Sequence, residues 1–498
     1  MKAADKQNDT MNGNKRALEH DDSASADASP AQEKKKKKDN NNKKQKVKKA
    51  DLVENKGAYG QVRFEGERAF KSGDLFLSSD DALVTCNLNE AINVTRLATY
   101  CQMPVYQKVE VTTTDAGAHI CTITMVRGKM DLETYIKTMP ADRRARAAII
   151  RHALPQLAEQ LVIIHGHGLS HGDVKPANII VLDSAREEMP DVQLVDLGSG
   201  RMYDRHPRAL EDVITHAYAA PELFEGVSTG PAGDAYALGA VMYEMLVGKV
   251  PLEMPKRTKG DEKRYYRDLH REGKIDAHVA QLEQFEDPED QKVVHQIAAL
   301  LAHDPAKRLS VNDLHSDLKG YTLIIDPERL IIEAEAYEGG AQRDRVIDAI
   351  FGWPGVKEVG VATLACSIAD RFMAKLATLA EGKEGGGGSS PLAEGKERFL
   401  VEACVGIAKS LVMLDADFYV CESAKAMLVD VMRTLECKIF SETCDTLLRS
   451  KDPALPIDFG MIQQAVKAKR GTLDAVEHYK GLCAEQKRKR GFVVILDD

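Results

Sequence analysis

Four side chains close together in this 498-residue chain have the types and spacing for chemistry. They are Asp173, Lys175 and Asn178 in HGDVKPANIIV (171–181) and Asp196 in QLVDLGSG (193–200). Asn178 offers an amide oxygen and Asp196 a carboxylate, both hard ligands of the kind Mg²⁺ takes. Asp173 is a candidate proton acceptor, and Lys175, two residues on, sets a positive charge beside it. Earlier, ENKGAYGQVRF (54–64) places Gly57 and Gly60 in a β-rich run. Glycine lets backbone N–H groups approach a phosphate with no Cβ in the way. A single Asp in a loop is most often a turn or cap residue, so the set carries the argument, not any one member.

Further on come AAPELF (219–224) and DAYALG (234–239). In this order the blocks resemble the eukaryotic protein kinases, over roughly residues 51–322. The resemblance implies transfer of the ATP γ-phosphoryl group, with Mg²⁺, to protein hydroxyls. In that chemistry the protein mainly positions groups and neutralises charge. Asp173 would accept or orient the substrate hydroxyl proton, Lys175 would contact the phosphoryl oxygens, and Asn178 and Asp196 would hold Mg²⁺. Gly57 and Gly60 become the second and third glycines of a nucleotide loop. Asn55 stands where the family usually has its first, and Val62 would pack on the adenine. Ala69-Phe70-Lys71 resembles the third-strand motif whose Lys holds the α- and β-phosphates, and Glu90 is its candidate partner. The hinge that meets adenine is expected near Thr124–Lys129. Glu222 is expected to pair with Arg308, and Asp234 to accept backbone N–H groups of the catalytic loop. Lys175 and Thr215, in THAYAAPE, follow the serine/threonine pattern, in which the Thr hydroxyl bridges the catalytic Asp and Lys. With Lys71, Asp173, Asn178 and Asp196 all in place, an active enzyme is favoured over a pseudokinase scaffold that binds partners through its helical part. Thr215 and Ala220-Pro221-Glu222 favour a protein substrate over a small molecule.

Departures from the pattern bear on control. Gly172 replaces the Arg that normally reads an activation-segment phosphate. LEDVITHAYAAPE (210–222) resembles the end of the cyclin-dependent kinase T-loop, with Leu210 at the phosphorylated position and Asn89 at a second reader's position. Phosphorylation of that type is therefore not expected, and something else must order the segment.

These residues need elements to position them. GQVRFEGERAFK, MPVYQKVEV and AHICTITMV read as antiparallel strands, with one helix, LNEAINVTRLATYC, between the first two. After Asp131 the apolar spacing is helical. The expected fold class is α+β: a bilobal kinase fold over 51–322, then an all-α domain over 323–498. Within the latter, residues 335–450 resemble a cyclin box. Arg345–Trp353 matches its first helix, Asp370-Arg371-Phe372 its second and Ala408-Lys409 its third. A generic bundle with apolar core stripes is the alternative. The Glu expected on the fifth helix falls at Leu428, and the nearest acid is Asp430. GGGGSSP (385–391) reads as a flexible insertion in the box. Such a chain would be fused to its own activator, a cyclin-like intramolecular partner pressing on the helix that carries Glu90. A short tether gives an effective concentration of roughly millimolar.

The formal charge is 68 − 77 = −9, but residues 1–50 carry 14 − 8 = +6 and the remainder 54 − 69 = −15. Ten lysines fall between Lys34 and Lys49. This tail reads as disordered. It is either a nuclear-localisation or polyanion-binding tract or a solubilising segment. Nucleic acid contact is expected only weakly and only there. The polar start argues against a secretory signal, and no run approaches the roughly 18 apolar residues of a membrane span. Nine cysteines without a CxxC pair fit a reducing compartment, nuclear or cytoplasmic. The tail, the fusion and the H-G-D loop would suit a large DNA virus or a protist. His165, His167 and His171 match the kinase loop better than a metal set. KRTKGDEKRYYRDLHREGK (256–274) reads as a solvated loop and helix, with docking of an acidic partner as the alternative.

Overall fold

The computed structural model describes the chain except residues 1–53, 58–59, 76–80, 100–102, 104, 184–188, 203–214, 228–229, 255–261, 283, 323–339, 382–391, 394, 413–421, 437–442, 444–446, 449–454, 470 and 490–498. The lysine tract, Leu210 and the glycine insertion lie outside the described residues. The described residues belong to one compact body, Ala50–Asp498.

The first lobe is a five-stranded antiparallel sheet of β1 (Glu54–Gly57), β2 (Gly60–Glu65), β3 (Arg68–Asp74), β4 (Tyr106–Thr113) and β5 (His119–Val126), in the order β1-β2-β3-β5-β4. Central β3 sets Lys71 opposite Val62 on β2 and Ile123 on β5. Helix α1 (Asp81–Thr99) packs on this sheet. Its apolar residues Leu88, Ala91, Ile92, Val94 and Leu97 are buried, but so are Asn87, Asn89, Glu90, Asn93, Thr95 and Arg96. A surface helix shows an apolar stripe and a wet polar face. Here the whole run 87–97 is out of solvent, so something covers its second face.

The second lobe follows a short link, Arg127–Lys129. Lys129 N–H bonds to the Val181 carbonyl. The expected hinge thus shifts, because Thr124 lies inside β5 opposite Phe70. Strands β6 (Met130–Asp131), β7 (Leu169–Ser170), β8 (Ile179–Val181), β9 (Val192–Leu194) and β10 (Arg201–Met202) form two small ladders that carry the loops of the site. Helices α2 (Leu132–Ile136), α3 (Arg143–Gly166), α4 (Pro221–Phe224), α5 (Gly230–Val247), α6 (Glu262–Arg271), α7 (Lys274–Ala280), α8 (Pro288–Leu300) and α9 (Val311–Lys319) complete the lobe. Asp131 caps α2 and Asp142 caps α3 by accepting backbone N–H bonds in their first turns. Of the charged stretch 256–274, the described part, 262–274, carries the exposed charged residues expected but is not solvated throughout. Tyr266 and His270 of α6 are buried, the Tyr266 ring stacked on His216 and the His270 ring tilted against Phe224.

Among the described residues the elements of the C-terminal part are helices: α10 (Gly340–Phe351), α11 (Val359–Glu381), α12 (Glu397–Val412), α13 (Glu422–Thr434), α14 (Phe459–Ala468) and α15 (Thr472–Lys489). Arg343 pins α10 to α11 by donating both guanidinium arms to Asp370 at 2.9 Å. It also caps α14 by donating to the Val466 and Lys467 carbonyls. The stretch likened to the first cyclin-box helix begins at Arg345. Arg345 is exposed and reaches only Glu397, at 3.3 Å. Among the described residues no helix is long and apolar enough to cross a membrane.

Candidate active site

Lys71 is the hub. Its Nζ lies 2.8 Å from Glu90 Oε2 and 3.0 Å from Asp196 Oδ1. β3 supplies the Lys, α1 the Glu and the turn after β9 the Asp. Burial by itself would lower the Lys71 pKa, but Glu90 and Asp196 outweigh it and hold the ammonium charged. Burial pushes Glu90 up to about 7 against the pull of Lys71. Burial would also raise Asp196, but Lys71 overrides it and leaves the carboxyl below its usual range. Asp196 adopts a left-handed backbone, φ 71°, rare outside glycine, and accepts from Gly198 N–H.

The loop after β7 brings the second group together. Lys175 Nζ is 2.6 Å from Asp173 Oδ2 and donates to Thr215 Oγ1 at 2.8 Å. Thr215 Oγ1 donates to Asp173 Oδ1 at 3.0 Å, so the Thr hydroxyl bridges Lys and Asp. Asn178 Nδ2 donates to the Asp173 carbonyl and to Oδ2, at 2.9 and 3.0 Å. The amide nitrogen is thereby committed to the loop, and the amide oxygen remains as a hard ligand.

Buried supports fix this loop. Asp234 accepts from the backbone N–H groups of His171 (2.7 Å) and Gly172 (2.9 Å), and its Oδ2 lies 2.9 Å from His165 Nε2. Gly172 sits at φ +79°, and a Cβ there would come within 2.5 Å of the Ser199 carbonyl. A glycine therefore suits this left-handed, crowded backbone. Glu222 and Arg308 form a two-pronged pair at 2.7 and 2.9 Å. His165, His167 and His171 engage three different partners: Asp234, the Ile163 carbonyl and the Val195 carbonyl. Burial lowers His167 to about 4.

Gly57 and Gly60 face each other as the end pair of the β1–β2 ladder, and Val62 lies opposite Asn55. Asn89 is buried, and neither atom of its amide has a hydrogen-bond partner. The structure thus brings Lys71, Glu90 and Asp196 into one cluster and Asp173, Lys175, Asn178 and Thr215 into another. One contributor was missed in the sequence, and the helical part's approach to the helix carrying Glu90 was expected without the helices that make it. Asn93 donates to the Leu197 and Gly200 carbonyls on the turn after Asp196. Helix α12 contacts both α1 and β10, and α13 contacts β4. No local motif signals Asn93, although two asparagines in one predicted helix, with a third just before it, were a visible oddity.

Comparison with known proteins agrees with this geometry. The family model described as protein kinase domain matches residues 89–318. Serine/threonine-protein kinase ATG1 of Mycosarcoma maydis is 27% identical over 254 residues, covering 46% of this chain and 25% of that protein. Serine/threonine-protein kinase PknL of Mycobacterium bovis is 30% identical over 192 residues, covering 38% of this chain and 45% of its own. PknA of Mycobacterium tuberculosis is 36% identical over 114 residues, covering 22% and 25%. The chain spans less than half the length of these relatives. The matched family segment begins at residue 89, so the glycine hairpin and Lys71 rest on fold and geometry.

Proposed function

We propose that the chain is a protein serine/threonine kinase whose C-terminal helices hold it active in cis, in the manner of a cyclin. One observation carries the enzyme reading: Lys71, Glu90 and Asp196 are closed on each other while Thr215 bridges Asp173 and Lys175. The substrates are ATP and a protein hydroxyl. Mg²⁺ held by Asn178 and Asp196 would neutralise charge on the triphosphate, and an amide oxygen and a charged carboxylate are a fitting donor set for it. Lys71 anchors the α- and β-phosphates above the glycine hairpin. Asp173 takes the hydroxyl proton as the oxygen bonds to the γ-phosphorus and the bridging bond to ADP breaks. Lys175 stabilises the charge on the transferring group.

Support for the cis reading comes from α1. Its second face is covered where α12 packs on it, and Glu90 lies in the covered run. Arg433 of α13 donates to the Val111 carbonyl of β4 at 3.1 Å and to Thr113 Oγ1. Leu428, where a cyclin would present an acid, is buried in the helical core. Arg433, five residues on, makes a contact of another kind.

The test is radiolabelled phosphate transfer from Mg·ATP to a generic basic protein. The full chain, Asp196→Asn and a folded chain ending at residue 322 are compared. The proposal expects transfer by the full chain alone. Equal transfer by the truncated chain would keep the kinase and remove the activator. Absence of transfer by the full chain, with nucleotide bound, would overturn the enzyme reading.

A further inference from the structure

Asn87, Glu90 and Asn93 stand at i, i+3 and i+6 on α1, so they share one side of the helix. All three are buried, and each engages a different part of the site. Asn87 Nδ2 donates to the Asp74 carbonyl at 2.9 Å, three residues beyond Lys71 on β3. Glu90 holds Lys71 itself. Asn93 Nδ2 donates to the Leu197 carbonyl at 3.2 Å and the Gly200 carbonyl at 3.4 Å. Those carbonyls belong to the turn that begins at Asp196 and is closed by Gly200 N–H to Leu197 O at 3.0 Å. Two glycines make room for the two asparagines. A Cβ on Gly73 would come within 2.4 Å of Asn87 Nδ2, and one on Gly200 within 2.9 Å of Asn93 Nδ2. A buried amide is costly unless paired. These two therefore tie α1 to one position against β3 and one against the turn.

We propose that Asn93, seconded by Asn87, is a positioning residue that locks the Asp196 turn to α1. Closure of Lys71 on Glu90 and placement of the metal-ligating carboxylate are then a single event. This rests on the kinase reading of the same site. It also answers a need of this chain. With Gly172 in place of the phosphate-reading Arg, the start of the activation segment takes its order from α1 through an amide instead of through a phosphate. Asn93 acts through the backbone of 197–200, not on substrate.

The experiment uses the full chain and its variants Asn93→Leu, Asn93→Asp and Gly200→Ala. Leu keeps the size without the donor, Asp turns an acceptor toward two carbonyls, and Gly200→Ala crowds the amide from the other side. Three quantities are measured: amide hydrogen exchange of 197–200 without ligand, Mg²⁺ half-saturation for binding a non-hydrolysable ATP analogue, and kcat with KM for a generic basic protein. Exchange is expected to rise at 198–200 while α3 and α5 stay protected. Mg²⁺ half-saturation should rise about tenfold and kcat fall about ten- to a hundredfold. The KM for protein substrate should stay within about twofold, since no substrate contact is lost. Wild-type exchange and Mg²⁺ dependence in folded Asn93→Leu would overturn the proposal. Should Asn93→Leu fail to fold, Gly200→Ala decides by the same readouts. A wild type that binds Mg·nucleotide but transfers nothing would overturn the kinase reading alone, because exchange and Mg²⁺ dependence still judge Asn93.

Discussion

The ion cluster in the cleft and the ion pairs in the body of the molecule are built differently. Arg308 donates to both oxygens of Glu222 and to the Ala232, Ala302 and His303 carbonyls. Arg343 likewise meets both oxygens of Asp370 and two carbonyls at the end of α14. In each, one cation faces one carboxylate and the spare donors are used. In the cleft a single ammonium, Lys71, serves two carboxylates. That set has more acceptors than donors and a surplus negative charge, which a divalent cation would neutralise. A saturated pair is a fastening, and an unsaturated one is a place where something else binds.

The strongest way to break this contrast is Asp196→Asn. Transfer should fall at least about a thousandfold, on the order of 4 kcal/mol of barrier. The denaturation midpoint should hold or rise, because Asp196 repels Glu90 and raises its pKa. A large loss of stability would show that the cleft carboxylate is a fastening after all. Arg343→Met is the opposite case. Removing one partner of a saturated buried pair should cost about 3–5 kcal/mol in chemical denaturation. A midpoint within error of wild type would remove the structural role assigned to it.

Much of the cleft was legible because its groups sit at fixed spacing in short loops. Asp173, Lys175 and Asn178 fall within six residues of one run, and the loop geometry follows from that run. Lys71 and Glu90 were found by order along the chain, although they stand 19 positions apart with no motif between them. What stayed hidden was set by tertiary packing. Arg343 and Arg345 lie on the same helix with the same residue type, and only its packing against α11 and α14 separates a buried clamp from a surface charge. Which polar residues of α1 are buried could not be read from their order, because α12 covers the helix only in the folded chain. Helices α14 and α15 lie inside the helical 323–498 read from the sequence, past the 335–450 span likened to a cyclin box.

A smaller effect should come from acid. His167 and His270 are buried and held neutral, each lowered to about 4 chiefly by desolvation. Below an unfolded value near 6.5 the unfolded chain takes up protons that the native histidines refuse, so stability rises with pH across about 4–6.5. It is fully present above that window and is lost as pH falls through it. Each histidine should contribute about 2 kcal/mol of loss between pH 7 and 5. Denaturant midpoints at the two pH values measure the slope, and His270→Gln should flatten it by about half. A slope unchanged by that substitution would assign the acid sensitivity elsewhere.

The smallest predicted effect tests the contact between the helical part and the sheet. Arg433 is exposed, and it donates to the Val111 carbonyl on β4, the edge strand of the sheet. An edge strand leaves carbonyls unpaired, so the contact is available without disturbing the ladder. Unlike Arg308 or Arg343 it meets no carboxylate among the described residues, and Arg433→Ala should cost only about 1 kcal/mol of stability. If α13 helps hold α1 through this contact, transfer should still fall by about threefold to tenfold, and amide exchange along 87–97 should rise. Arg433→Lys should behave more like Ala than like Arg, because an ammonium lacks the planar fork that reaches both Val111 and Thr113. Equal transfer and equal α1 exchange in Arg433→Ala would mean that α12 covers α1 without help from α13, and the activating contact would narrow to that single helix.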